Sequence, residues 1–148
     1  MGGCLLELAA LMPRTRHDGA ALERLIDQIC ELSRLLGAVA AVEESTVFPC
    51  LERWLSQHSR RVASARLHRK RLERAVHGLL ISARYYLKAQ NEQRAELMQN
   101  NWRSVVNAFK EWIREEELGL FERCDAELGP FASRWLGGAV ELSLAARR

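Results

Sequence analysis

Apolar residues recur at intervals of three and four along three long stretches of this chain, and that spacing admits few folds. From Ala20 the series runs Leu22, Leu25 with Ile26, Ile29, Leu32, Leu35 with Leu36, Val39, Val42 and Val47. From about Ser59 to Ala89 it runs Val62, Ala65, Leu72, Val76, Leu79, Ala83 and Tyr86. From about Glu92 to Glu127 it runs Leu97, Trp102, Val105 with Val106, Phe109, Trp112 with Ile113, and Leu120. Residues three and four apart share one face of an α-helix, so each series predicts a long amphipathic helix with one side inward. Only 3 prolines and 9 glycines interrupt the 148 residues, and no stretch alternates β-branched residues with polar ones. The expectation is an all-α fold: one domain, residues 1–148, with short connections between antiparallel helices.

The punctuation places the element ends. Residues 3–12 read as a short helix stopped by Pro13, and Asp18 is a natural N-cap for the helix that follows. Pro49 lacks a backbone donor and is expected to kink or end that helix near Phe48, with a further turn or two as far as Leu55. Gln90-Asn91-Glu92 is a short connection, and Gly129-Pro130 ends the last long helix. The tail from Phe131 to Ala146 is expected to form a final short helix, interrupted at Gly137-Gly138.

The net charge of +3 is too small for a dedicated nucleic-acid binder, but the charges are unevenly placed. Arg60, Arg61, Arg66, Arg69, Lys70, Arg71 and Arg74 stand close together with Glu73 as the one acid among them, and the run from Glu111 to Glu127 is acidic. Two helices with complementary outer faces would explain this. A basic surface for an anionic partner is the sharper reading, and the absence of aromatic side chains within the basic run weighs against nucleic acid. The 4 cysteines, Cys4, Cys30, Cys50 and Cys124, are scattered without a CxxC pair, which suits free thiols in a reducing cytoplasm. The apolar run from Cys4 to Met12 contains Glu7 and is too short to span a bilayer, so no membrane is expected as a partner.

The informative residues are polar ones on apolar stripes. The series 32, 36, 39, 43, 47 places Glu43 inward, and 105, 109, 112, 116, 120 does the same for Glu116. The series 65, 68, 72, 76 places His68 inward. Three ionisable groups from three helices are thus expected to share one interior. Burying a carboxylate alone costs several kcal/mol, so they need metal, counter-ions or one another. The two glutamates also lie in matching segments: Val39 to Phe48 and Trp112 to Phe121 share a bulky residue, three positions, Glu-Glu, an apolar residue and Phe.

Glu43-Glu44 followed by Val47-Phe48-Pro49, and Glu116-Glu117 followed by Leu120-Phe121, resemble the two His-x-x-x-Glu-Glu-x-x-Leu-Phe-Pro motifs of the hemerythrin-like (HHE cation-binding) domain family. His68 resembles the ligand histidine of that family's third helix. The resemblance covers roughly residues 20–127. It implies an up-and-down four-helix bundle, here with a shortened first helix and an extra C-terminal segment. It also implies metal ligation by Glu43, His68 and Glu116, with His17 as a possible fourth ligand.

The departures imply as much. Val39 and Trp112 stand where the motif histidines belong. A di-iron centre, which in that family draws on five or more histidines and two carboxylates, is therefore not expected. The expected protein binds no cofactor, catalyses nothing and acts through its surface, with a buried Glu43–His68–Glu116 cluster as the remnant of a metal centre. The alternative is a single Fe, Mn or Zn ion on the reduced ligand set, with a metal-, oxygen- or redox-responsive role. A short first helix leaves an apolar groove, to be covered by the C-terminal segment, a second copy in a homodimer or another protein.

Overall fold

Pro13 and Gly19 separate the first two helices, and the short Ala89-Gln90-Asn91 connection separates the last two. The computed structural model describes residues 2–13, 15, 18–54, 59–116, 134, 137, 138 and 140. Its elements are α1 (Gly2–Leu11), α2 (Gly19–Val42), a π-helical turn (Glu43–Val47), α3 (Phe48–Trp54), α4 (Ser59–Lys88) and α5 (Glu92–Ile113). The fold is all-α, with four helices packing together and no strand among the described residues. Asp18 caps α2 as its position suggests: its carboxylate accepts from the backbone N–H groups of Ala20 at 2.9 Å and Ala21 at 3.2 Å. At the close of α1, the Thr15 hydroxyl donates to the Met12 carbonyl at 2.8 Å, satisfying an acceptor that the ended helix leaves without a partner.

Two compact units, each discontinuous in sequence, divide the chain. The first comprises Met1–Leu36 and Arg71–Phe109. Its core takes Leu8 from α1, Leu22, Leu25, Ile29, Leu32 and Leu36 from α2, Leu72, Val76, Leu79, Ala83 and Tyr86 from α4, and Met98 and Val105 from α5, all buried. One stripe residue is corrected. Leu97 is 46% exposed, and Met98 is buried in its place. Steps of seven lead from Met98 to Val105 and Trp112, whereas Leu97 sits one residue, about 100°, round the helix.

The second unit comprises Gly37–Lys70 and Lys110–Arg148. Val42, Val47, Phe48, Leu51, Val62 and Ala65 form its apolar cluster, and Val140 from the C-terminal segment packs against it. Gly137 and Gly138, expected to interrupt that segment, are themselves helical. The Gly129-Pro130 break, Cys124, His58, Trp135 and the helix expected beyond Glu116 lie outside the described residues.

The π turn has a local cause. Pro49 cannot donate to the Ser45 carbonyl, and its ring presses on that carbonyl from the next turn. The backbone widens just before it, so that Phe48 N–H bonds to Glu43 O, five residues back. The five-residue step from Val42 to Val47 in the apolar stripe is the sequence trace of this widening. Arg114–Glu116 adopt the same π geometry, so the first glutamate of each matching segment lies in a widened turn.

Candidate functional site

A buried ionic cluster occupies the second unit, and its members come from α4, α5 and the two widened turns. Glu43 and Glu116 are both buried, and a hydrogen bond joins their carboxyl groups. The matching segments thus do present their first glutamates to each other. The third expected member is different. Arg69, also buried, directs its Nη1 to Glu43 Oε2 and its Nη2 to Glu44 Oε1, both at 2.5 Å. His68 is not part of the cluster: its Nδ1 lies 3.8 Å from Glu111 Oε2 and has no hydrogen-bond partner among the described residues.

The reason lies in the periodicity of α4. Its buried apolar positions, with Arg69 added, are 62, 65, 69, 72, 76, 79, 83 and 86, a strict alternation of three and four, and the buried Ser82 lies beside this seam. The series 65, 68, 72, 76 breaks that alternation and puts the imidazole about 100° away from the seam. Arginine is seldom buried unless paired, so the series read from the sequence runs through His68 and passes over Arg69.

Around this centre the charges interlock. Arg66 donates through Nε to Glu44 at 3.0 Å and through Nη1 to Glu52 at 2.6 Å. The Phe48 ring, fully buried, lies beneath both guanidinium groups, with Cζ of Arg66 and Arg69 at 4.9 and 5.6 Å from its centroid. Such stacking adds to the attraction that holds the cations in a partly apolar setting. The Ser64 hydroxyl donates to Glu115 at 2.8 Å, a further link between the α4 segment of this unit and the α5 end. Most of the basic run that folds inward therefore pairs with Glu43, Glu44 and Glu52. The acidic run contributes Glu111, Glu115 and Glu116 among the described residues.

Trp112 fills the motif position where an imidazole was missing, and it is more than an apolar filler. Its indole Nε1–H donates to Glu116 Oε1 at 2.5 Å, one turn along the same helix. Glu116 is thereby fixed from one side by Trp112 and from the other by Glu43.

Protonation follows from this arrangement. Among the buried members two carboxyl groups, Glu43 and Glu116, share one guanidinium, that of Arg69, so the interior favours keeping one acid neutral. Burial first, and then the negative charge of Glu43, push Glu116 up to about 8, against the opposing pull of the Trp112 N–H and Arg69. Burial also raises Glu43, although Arg69 counters it. Glu44 is partly desolvated, yet its hydrogen bonds from Arg69 and Arg66 hold it below the usual carboxylate range. A protonated Glu116 can donate to Glu43, which also accepts from Arg69.

These residues do not fit a metal ion. The Glu43 oxygen that would ligate it accepts from Arg69, the Glu116 oxygen accepts from Trp112, and a guanidinium already supplies the positive charge. Among the described residues no three His, Cys, Asp or Glu side chains are grouped to hold a metal. His17 lies outside them. Cys4, Cys30 and Cys50 are free thiols. No described helix is long and apolar enough to cross a membrane. Searches of known families, characterised proteins and solved structures give no match to this chain.

Proposed function

We propose that this is a hemerythrin-like helical-bundle protein in which an internal arginine has taken over the role of the metal, and that it works as a non-catalytic interaction or regulatory protein. One observation carries the reading: the Arg69 guanidinium sits on Glu43 and Glu44 while Glu43 is hydrogen-bonded to Glu116. Those two glutamates occupy the motif positions that carry the resemblance, and Arg69 gives them the counter-charge a cation would have provided. A buried ion pair of this kind adds little net stability over an apolar equivalent, but it penalises any packing that separates its members. It fixes the register of the helices that meet there.

Elemental analysis of protein purified without chelator tests the proposal directly. Less than a tenth of an equivalent of Fe, Mn or Zn, with no visible absorption band after Fe(II) and air are added, is the expected result. One equivalent of metal, retained through gel filtration, would overturn it in favour of the metal- or oxygen-responsive reading. The mode of action calls for a partner surface. At 10 residues, α1 is a third as long as the 30-residue α4, and its Leu6 is 74% exposed. A homodimer that covers this end is the expected state, and sedimentation equilibrium reads it.

A further inference from the structure

The outer side of α4 was left open by the sequence as either a partner for the acidic run or a surface for an anionic ligand. Arg66 and Arg69 resolve one part of it by turning inward. The rest of the helix does not. Every exposed charged residue of α4 is a cation, including Arg71, Arg74, Arg84 and Lys88 in the first unit. The other long helices of that unit mix signs: Glu23 and Asp27 accompany Arg24 and Arg34 on the exposed side of α2, and Glu92 and Glu96 accompany Arg103 on that of α5. Apart from the half-buried Glu73, the exposed charge of α4 is cationic, a bias the other two helices lack.

Its apolar members are equally telling. Ile81 is 56% and Tyr85 49% exposed. Positions 71, 74, 78, 81, 85 and 88 follow the three-and-four alternation of a single helical face, so the apolar pair stands among the cations along about 27 Å of helix. Arg94 from α5 lies over the Tyr85 ring at 3.7 Å from its centroid, adding a cation at the edge of the stripe and occupying one ring face. A nucleic-acid backbone would reward the cations, yet it gives an exposed isoleucine nothing, and a ring already stacked on guanidinium is a poor platform for a base. The headgroup region of an anionic bilayer rewards both components: phosphates meet the cations while Ile81 and the amphipathic Tyr85 enter the boundary with the acyl chains.

We propose that the outward face of α4 from Arg71 to Lys88 docks this protein onto an anionic phospholipid surface. The helix lies on the bilayer and does not enter it, which agrees with the lack of a described helix able to cross one. The proposal stands independently of the buried cluster.

Co-sedimentation of the full chain with vesicles tests it, using phosphatidylcholine alone and an equal mixture of phosphatidylcholine and phosphatidylglycerol. Binding is expected for the mixture only, weakening as salt shortens the reach of the charges. Each cation near an anionic surface is worth roughly a fivefold change in partitioning, so Arg71→Gln with Arg74→Gln lowers it about 25-fold. Ile81→Ser leaves the charge unchanged and is expected to lower partitioning to the same mixed vesicles several-fold, which separates interfacial insertion from simple attraction. Circular dichroism checks that each variant keeps its helices; if the first pair does not, Arg84→Gln with Lys88→Gln replaces it. No binding to the mixture, equal binding to both vesicle types, or binding unchanged by both the charge variants and Ile81→Ser would overturn the proposal. So would tighter binding to duplex DNA at the same ionic strength, which would identify a nucleic acid as the partner.

Discussion

Replacing Glu116 by glutamine removes a titrating group from the buried cluster while keeping its hydrogen bonds. The Gln oxygen can accept from Trp112 Nε1–H, and its amide can donate to Glu43 as the protonated acid does. In the wild-type protein Glu116 is raised from 4.5 to about 8, so between those values the folded state holds a proton that the unfolded chain releases. Its contribution to stability is fully present below pH 4.5. It is lost progressively as the pH rises towards 8, because stability falls with pH wherever the folded state binds more protons. At about 1.4 kcal/mol per pH unit, the whole window corresponds to at most about 5 kcal/mol. That is comparable with the total stability of a small domain. Urea denaturation followed by circular dichroism at pH 5, 6, 7, 8 and 9 measures it. Wild type is expected to weaken by about 1 kcal/mol per unit through the middle of this range. Glu116→Gln should match wild type near pH 5 and keep a much flatter profile, so that the variant is the more stable protein at pH 8 and above. Parallel profiles for the two proteins, or a wild-type stability that rises between pH 6 and 8, would refute the assignment of the shared proton to Glu116.

Three other perturbations test the surrounding structure. Arg69→Leu leaves Glu43 buried without its counter-charge and is expected to cost about 3–5 kcal/mol in urea denaturation at pH 7, with the loss reduced when Glu43→Gln is added. Met98→Ala should cost about 2–5 kcal/mol, because the side chain is fully buried, whereas Leu97→Ala should stay within about 1 kcal/mol of wild type; reversed effects would restore Leu97 to the core. Asp18→Ala removes the acceptor for two N–H groups at the start of α2 and is expected to cost about 1 kcal/mol, measured as a lowered denaturation midpoint with an unchanged slope.

The helices and most of their inward faces were legible in the amino-acid order, because periodicity, caps and prolines act through neighbours a few residues away. Val62, Ala65, Leu72, Val76, Leu79, Ala83 and Tyr86 could be read as one buried stripe, and Asp18 and Pro49 as the points where the backbone changes course. The pairing of Glu43 with Glu116 was also within reach, since each interrupts an apolar series at the same place in a repeated segment. What tertiary structure decided is which side chain neutralises them. His68 and Arg69 are adjacent, and only the exact alternation set by packing along the whole of α4 selects the arginine. The donor role of Trp112 and the upward shift of Glu116 belong to the same class. Ionisation depends on how much water three separate segments exclude and on the distances between charges far apart in sequence, and neither quantity is carried by any local pattern of residues.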